Sequence, residues 1–142
     1  MSSAGLITLL ESMLLLAISL FDLRQHRIPN RLLALTALIV AAASLIFRQP
    51  PPAAAVVGGA AGLAAFLLLA RIRPGALGMG DVKLAGVIGL MLGFPQVIFA
   101  LLFGMIAAGL VALTLSLARS HTRTLAYAPY LALGALPFLL GG

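Results

Sequence analysis

The sequence predicts an all-α integral membrane protein with six transmembrane helices, forming one domain over residues 1–142. Three observations lead to this prediction. Hydrophobic residues make up 63% of the chain and charged residues only 8%, whereas about a quarter of the residues in a soluble domain are charged. Apolar runs recur along the whole chain, and the basic residues divide unequally between alternate interruptions. Such a chain cannot cover a surface that faces water, so we expect it to lie in a lipid bilayer.

The interruptions of the apolar pattern mark the boundaries of the predicted spans. The stretch from Val82 to Ala118 is too long for one span, because a straight helix of that length would measure about 55 Å. "GFPQ", residues 93–96, supplies a break, since proline disfavours the continuation of a helix. We therefore expect spans at 5–21, 32–47, 53–70, from about 75 to 92, at 95–118 and at 125–140.

The basic residues predict the orientation, because short cytoplasmic loops are enriched in Lys and Arg. With six spans, eight of the nine Lys and Arg residues fall on one side of the membrane and only Arg48 falls on the other. Both termini are therefore expected on the extracytoplasmic side. The eight residues expected at the cytoplasmic face are Arg24, Arg27, Arg31, Arg71, Arg73, Lys83, Arg119 and Arg123.

Composition also narrows the classes of function. No basic patch carries interleaved aromatic residues, so no nucleic-acid partner is expected. The chain has no cysteine, which excludes disulfides and Cys-ligated zinc. Only two histidines and three acidic residues are available, so we expect neither a metal site nor a cofactor. The first apolar run lacks a basic flank and a small-residue cleavage site, and we expect a retained span rather than a signal peptide.

Asp81 follows two glycines, Gly78 and Gly80, directly before an apolar run. A carboxylate at membrane depth is costly and indicates a functional site, although Asp is also a favoured capping residue at the start of a helix. Asp22 stands at the same predicted depth, at the cytoplasmic end of the first span. An ion pair with Arg24 or Arg27 is the structural alternative for Asp22, and it would contribute little at a wet interface.

Two carboxylates at one depth are a candidate catalytic pair. They can share a proton, so that one acts as general base on a water while the other acts as general acid. The glycines before Asp81 would let the backbone or a substrate approach closely. Glu11 lies eleven residues before Asp22, about 16 Å along the same helix face. It lines a polar cavity or hydrogen-bonds to a neighbouring helix; we favour a structural role, because it is too distant for the same chemistry.

Three segments carry a resemblance to a known family. "DLRQHRIPN" (22–30), "GMGDVKL" (78–84) and "YAPYLALG" (127–134) resemble motifs of the type IV prepilin peptidases, which are intramembrane aspartyl proteases of the GxGD class. The resemblance implies six spans, no cofactor, and removal of the short basic leader from type IV prepilins or pseudopilins at the cytoplasmic face of the bacterial inner membrane. It also implies that Asp22 and Asp81 are the catalytic pair and that Gly78 and Gly80 are the motif glycines, which we assign to substrate binding. The expected partners are a prepilin with a basic leader and an apolar helix, and the bilayer.

The chain departs from the larger family members in its first cytoplasmic loop. Those members resemble two-part enzymes with paired Cys-x-x-Cys motifs and an N-methyltransferase activity. Here the predicted loop is only about ten residues long and contains no cysteine, so methylation is not expected in this chain. The short form is similar to the peptidases of Flp-type pili and to the archaeal preflagellin enzymes.

Two other classes of function remain open. A small transporter subunit could use Glu11, Asp22 and Asp81 as a proton or cation relay, which predicts that Glu11 is as important as the aspartates. A non-catalytic assembly factor could bind pilins without cleaving them. Neither alternative accounts for both aspartate motifs as well as a peptidase does.

Overall fold

The computed structural model describes residues 3–118 and 126–141, and the regular elements in this part of the chain are α-helices. The predicted all-α class is therefore confirmed. The helices are α1 (Ser3–Gln25), α2 (Asn30–Phe47), α3 (Pro52–Ile72), α4 (Met79–Leu92), α5 (Gln96–Leu117) and α6 (Ala128–Leu140).

Four of these helices, α1, α2, α3 and α5, are long and apolar enough to cross a membrane. The other two are shorter than the sequence predicts. With 14 and 13 residues, α4 and α6 measure about 21 and 20 Å, less than the hydrocarbon thickness of about 30 Å. Six complete spans therefore remain a prediction, whereas six helices are observed in the described residues.

The predicted start of the fourth segment near Gly75 is wrong, because α4 begins at Met79. Pro74 cannot continue α3, and Gly75 has a φ of +83°, which only glycine adopts without strain. The N–H of Ala76 donates to the carbonyl of Arg73 at 3.1 Å. These residues form a tight turn, and α4 starts after it.

The predicted break at "GFPQ" is confirmed. Helix α4 ends at Leu92, Gly93 follows with a φ of +72°, and α5 begins at Gln96. The connection between α1 and α2 is shorter than the expected ten residues, since only residues 26–29 separate the two helices. Helix α1 continues through Asp22 to Gln25, so Asp22 lies within the helix and not at its end.

Helix α4 is the central element of the bundle. It packs against α2, α3, α5 and α6, and ten of its fourteen residues are buried. Its closest partner is α3, where glycines let the two backbones touch. A Cβ on Gly58 would collide with the carbonyl of Gly89, and a Cβ on Gly89 would collide with the carbonyl of Gly58. The small-residue pairs in these segments are therefore used for backbone contact.

The bundle has two distinct ends. At the first, which we call the aspartate end, the N-terminus of α6 meets Asp22, and the start of α4 meets the connection between α1 and α2. At the far end, a single cavity is lined by Ala4, Gln49, Phe94 and Leu139, which come from four separate parts of the chain. Both ends of the described chain thus lie at the far end.

The basic residues follow this division. Those at the helix ends and turns of the aspartate end are Arg24, Arg27, Arg31, Arg71, Arg73 and Lys83, and Arg48 follows α2 at the far end. The predicted loop residues Arg119, His121 and Arg123 lie outside the described residues, as does Leu125 at the predicted start of the sixth span.

Candidate active site

Asp22 is buried in α1, with 5% of its surface exposed. Its Oδ2 accepts a hydrogen bond of 3.2 Å from the backbone N–H of Ala128, the first residue of α6. The carboxylate is therefore held by the main chain of another helix, and not by a neighbouring arginine as the structural alternative supposed.

The start of α6 explains why this backbone donor is free. The first N–H groups of a helix have no partner within it, and the next residue, Pro129, has no N–H at all. The following two, in Tyr130 and Leu131, donate to the carbonyl of Tyr127 at 3.1 and 3.0 Å. Asp22 thus caps α6 from a distance of 106 residues along the chain, at the end where the helix dipole favours a negative charge.

Asp81 is the third residue of α4 and is also buried, with 9% of its surface exposed. The helix cap itself is Gly78, whose backbone N–H donates to Asp81 Oδ2 at 3.2 Å. Because Gly78 has no side chain, only this half of a capping box exists. The capping role considered for Asp81 is therefore real, but Asp81 fills it from inside the first turn.

The fold brings the two aspartates together. Asp22 and Asp81 lie near enough to each other for the charge of one carboxyl group to act on the other. Each carboxyl group accepts one backbone N–H bond through Oδ2, at the positive end of a helix, α6 for Asp22 and α4 for Asp81. A neighbouring pair of this kind can share one proton and hold a water between two acceptors.

Gly78 and Gly80 have different surroundings. Gly78 is exposed, and a Cβ there would lie 3.3 Å from Asp81 Oδ2. Its lack of a side chain leaves that flank of the carboxyl group open. A Cβ on Gly80 would lie 3.3 Å from the Cβ of Ile28, so Gly80 allows the connection between α1 and α2 to pack on α4.

Comparison with known families identifies the family of this chain. Residues 9–113 match the model of the type IV leader peptidase family, well over half of the chain and including both aspartates. This chain belongs to the type IV leader peptidase family. Membership implies a peptidase in a multi-pass membrane setting, and the suspected family is confirmed. No curated protein and no solved structure gave a significant match to this chain.

A side-chain hydrogen bond also joins the start of α4 to α2. Lys83 Nζ donates to Asn30 Oδ1 at 2.9 Å, which joins α4 to the first residue of α2. Pro29 caps α2, so the side-chain amide oxygen of Asn30 is free to accept from Lys83. Lys83, which was expected at the cytoplasmic face, is exposed.

Sequence reasoning missed Ala128. The segment 127–134 was cited only for its resemblance to a family motif, with no role given to the residue at its helix start. The available signal was Pro129, because proline is common in the first turn of a helix and leaves an unpaired N–H just before it. The identity of the acceptor, however, depends on which helix packs there.

Among residues 3–118 and 126–141, no three His, Asp or Glu side chains lie close enough to hold a metal ion.

Proposed function

We propose that the chain is a single membrane-embedded aspartyl endopeptidase, which removes the short basic leader from Flp-type prepilins or related pseudopilins. The observation that carries this proposal is the proximity of Asp22 and Asp81, two buried carboxyl groups on different helices that influence each other electrostatically. Family membership supplies the reaction class, and the pair has the groups that hydrolysis of a peptide bond requires.

In the proposed mechanism, one aspartate of the pair is ionised and the other holds a proton. The ionised carboxylate takes a proton from a bound water as the water oxygen attacks the scissile carbonyl carbon. The protonated carboxyl group donates its proton to the peptide nitrogen, the C–N bond breaks, and the amine leaves. Each aspartate keeps its backbone hydrogen bond throughout, from Ala128 or Gly78, so that neither carboxyl group rotates away.

The open flank beside Gly78 is the proposed route for the substrate backbone. An extended leader passing there would come within reach of Asp81 without meeting a side chain. Gly80 faces Ile28, so its contribution to substrate binding would be indirect, by setting how closely α4 approaches the connection between α1 and α2.

The proposed location is the bacterial cytoplasmic membrane, with the aspartate end towards the cytoplasm. Six basic residues at that end, against Arg48 at the far end, support this orientation. Helices α4 and α6 connect the same two ends as the four long helices, which supports six crossings with both termini outside. Because α4 and α6 are short, they would begin about one helical turn below the end of α1, at the level of Asp22.

The first test is cleavage of a Flp-type prepilin by the purified protein in detergent, with the product N-terminus read by mass spectrometry. We expect a single cut that removes the basic leader. A type IV prepilin and a pseudopilin serve as alternative substrates. If all three are left intact by a folded preparation, the chain is an assembly factor or a transporter and not a peptidase.

Glu11 separates the peptidase from the transporter alternative. It lines the cavity at the far end, while the aspartates lie at the other. Because of this separation, we expect Glu11→Gln to cleave prepilin at a rate within about threefold of wild type, a change in activation free energy of no more than about one RT. Initial rates under subsaturating substrate measure this. A loss as large as that of the aspartate variants, together with proton flux in liposomes, would favour a relay through all three acids.

Ala128 offers a test of how Asp22 is positioned. Ala128→Pro removes the N–H that donates to Asp22; proline is tolerated at the first position of a helix, although it disfavours the α conformation of Tyr127 before it, so thermal unfolding checks that the variant folds. We expect cleavage to fall about tenfold, as for loss of one hydrogen bond to a charged group. The decrease should appear in kcat and not in KM, because the bond orients a catalytic group. Ala128→Gly keeps the donor and should cleave nearly normally. Equal loss in both variants would instead indicate a packing defect.

A further inference from the structure

The far end of the bundle contains a cavity that the proposed peptidase does not use. It has a volume of about 360 Å³ and lies between the start of α1, the α2–α3 and α4–α5 connections and the end of α6. We call it the Glu11 cavity, because Glu11 is the only acidic side chain among its described lining residues. Its size is within the usual range for small-molecule sites, about 300 to 1,000 Å³.

The carboxyl group of Glu11 is buried with one of its oxygens unpartnered among the described residues. Only 4% of its surface is exposed, and its Oε1 has no hydrogen-bond partner among the described residues. A buried polar atom without a partner is costly and rare in folded proteins. Glu11 also lines the cavity, so a group bound there would lie beside this residue.

The lining residues indicate what that partner is. None of those described is Lys, Arg or His, so a positive charge beside an ionised Glu11 would have to come from a bound ligand. The remaining polar side chains are Thr8 and the exposed Gln49 and Gln96. These groups can accept hydrogen bonds beside the carboxylate.

The apolar part of the wall favours an organic cation over a metal ion. Calcium takes six to eight oxygen ligands and magnesium six, whereas most of this lining is apolar, including Ile7, Met91 and Phe138. An ammonium group donates up to three hydrogen bonds, and a short hydrocarbon chain attached to it would pack on that wall. We propose that the Glu11 cavity binds a primary ammonium group on a short apolar chain, with Glu11 as its counter-ion.

The site is separate from the aspartate pair, because Asp22 lies about 16 Å further along α1 and Asp81 lies on α4 at the same end of the bundle as Asp22. The proposal therefore does not depend on peptidase activity. The ammonium can belong to a free amine or to a lysine side chain, and the two sources are compared directly below.

The test is thermal unfolding of the purified full chain in detergent, titrated with n-butylammonium chloride. 1-Butanol at the same concentrations provides a neutral ligand of similar shape, and sodium chloride matches the ionic strength. N-acetyl-lysine amide replaces butylammonium in a parallel series. We expect Tm to rise and then saturate with at least one ammonium compound and with neither control. The stronger of the two compounds identifies a free amine or a lysine side chain as the better ligand.

Three variants test whether the ammonium compounds bind beside Glu11. Glu11→Gln should weaken the apparent affinity about tenfold or more, because the charged acceptor is lost. Ser12→Ala is the matched control: it is the next residue of α1, its hydroxyl already donates to the carbonyl of Thr8 at 2.7 Å, and it should leave the titration unchanged. Gln96→Glu adds a carboxylate at an exposed lining position and should tighten binding, which keeps the proposal testable if Glu11→Gln does not fold.

Three results would overturn the proposal. The first is an equal rise of Tm with butanol, which would indicate apolar binding alone. The second is an equal rise with sodium chloride, which would indicate a salt effect or an alkali-ion site. The third is a titration that Glu11→Gln and Gln96→Glu both leave unchanged.

Discussion

Asp81→Asn is expected to lower the rate of prepilin cleavage by about a thousandfold or more, and Asp22→Asn by a similar factor. Asparagine has nearly the same shape and keeps an oxygen that can accept from Gly78 or Ala128. It cannot exchange a proton in the reaction, however. The substitution therefore removes the acid–base function while leaving each backbone contact in place.

The double variant adds a sharper expectation. Because the two carboxyl groups act as a unit, losing both should cost little more than losing one. Single-turnover cleavage with enzyme in excess measures the chemical step, and thermal unfolding checks that each variant folds. Glu11→Gln is the matched control, since it removes a buried carboxylate from the same helix as Asp22. The proposed mechanism is falsified if either aspartate variant, folded and freed of wild-type enzyme, retains more than about a tenth of the wild-type activity. The loss of rate would then be smaller than the usual gain from acid–base catalysis.

Gly89→Ala is expected to destabilise the protein by about 3 kcal/mol or more. In most helices this change is favourable by up to about 1 kcal/mol, because alanine is the better helix former. Here the added methyl would collide with the backbone carbonyl of Gly58. A backbone atom cannot change rotamer to make room, so α3 and α4 would have to separate, and overpacking of this kind is costly.

Gly109 provides the opposite case in the same bundle. It is exposed on α5, and a Cβ there would meet nothing within 4 Å. Gly109→Ala should therefore leave stability unchanged or raise it slightly. Thermal unfolding in one detergent, followed by size-exclusion chromatography, compares the two variants. If Gly89→Ala were as stable as Gly109→Ala, the contact between α3 and α4 would be looser than described.

The break at "GFPQ" and the helical class are features that a single sequence can predict. Proline and glycine act on their own backbone, and a bilayer requires internally hydrogen-bonded segments. The two aspartates could also be identified from the sequence, because a carboxylate beside an apolar run is energetically costly wherever its partner lies. Each of these inferences depends on a residue and its immediate neighbours along the chain.

Contacts between distant segments were not predictable in the same way. The start of α4 depends on the turn at Pro74 and Gly75, and its short length is possible because α2, α3, α5 and α6 surround it. The donor to Asp22 lies 106 residues away. Glu11, whose Oε1 has no partner among the described residues, lines a cavity assembled from four parts of the chain. These features arise from how helices pack, since local sequence specifies which surface a helix presents but not which helix will cover it.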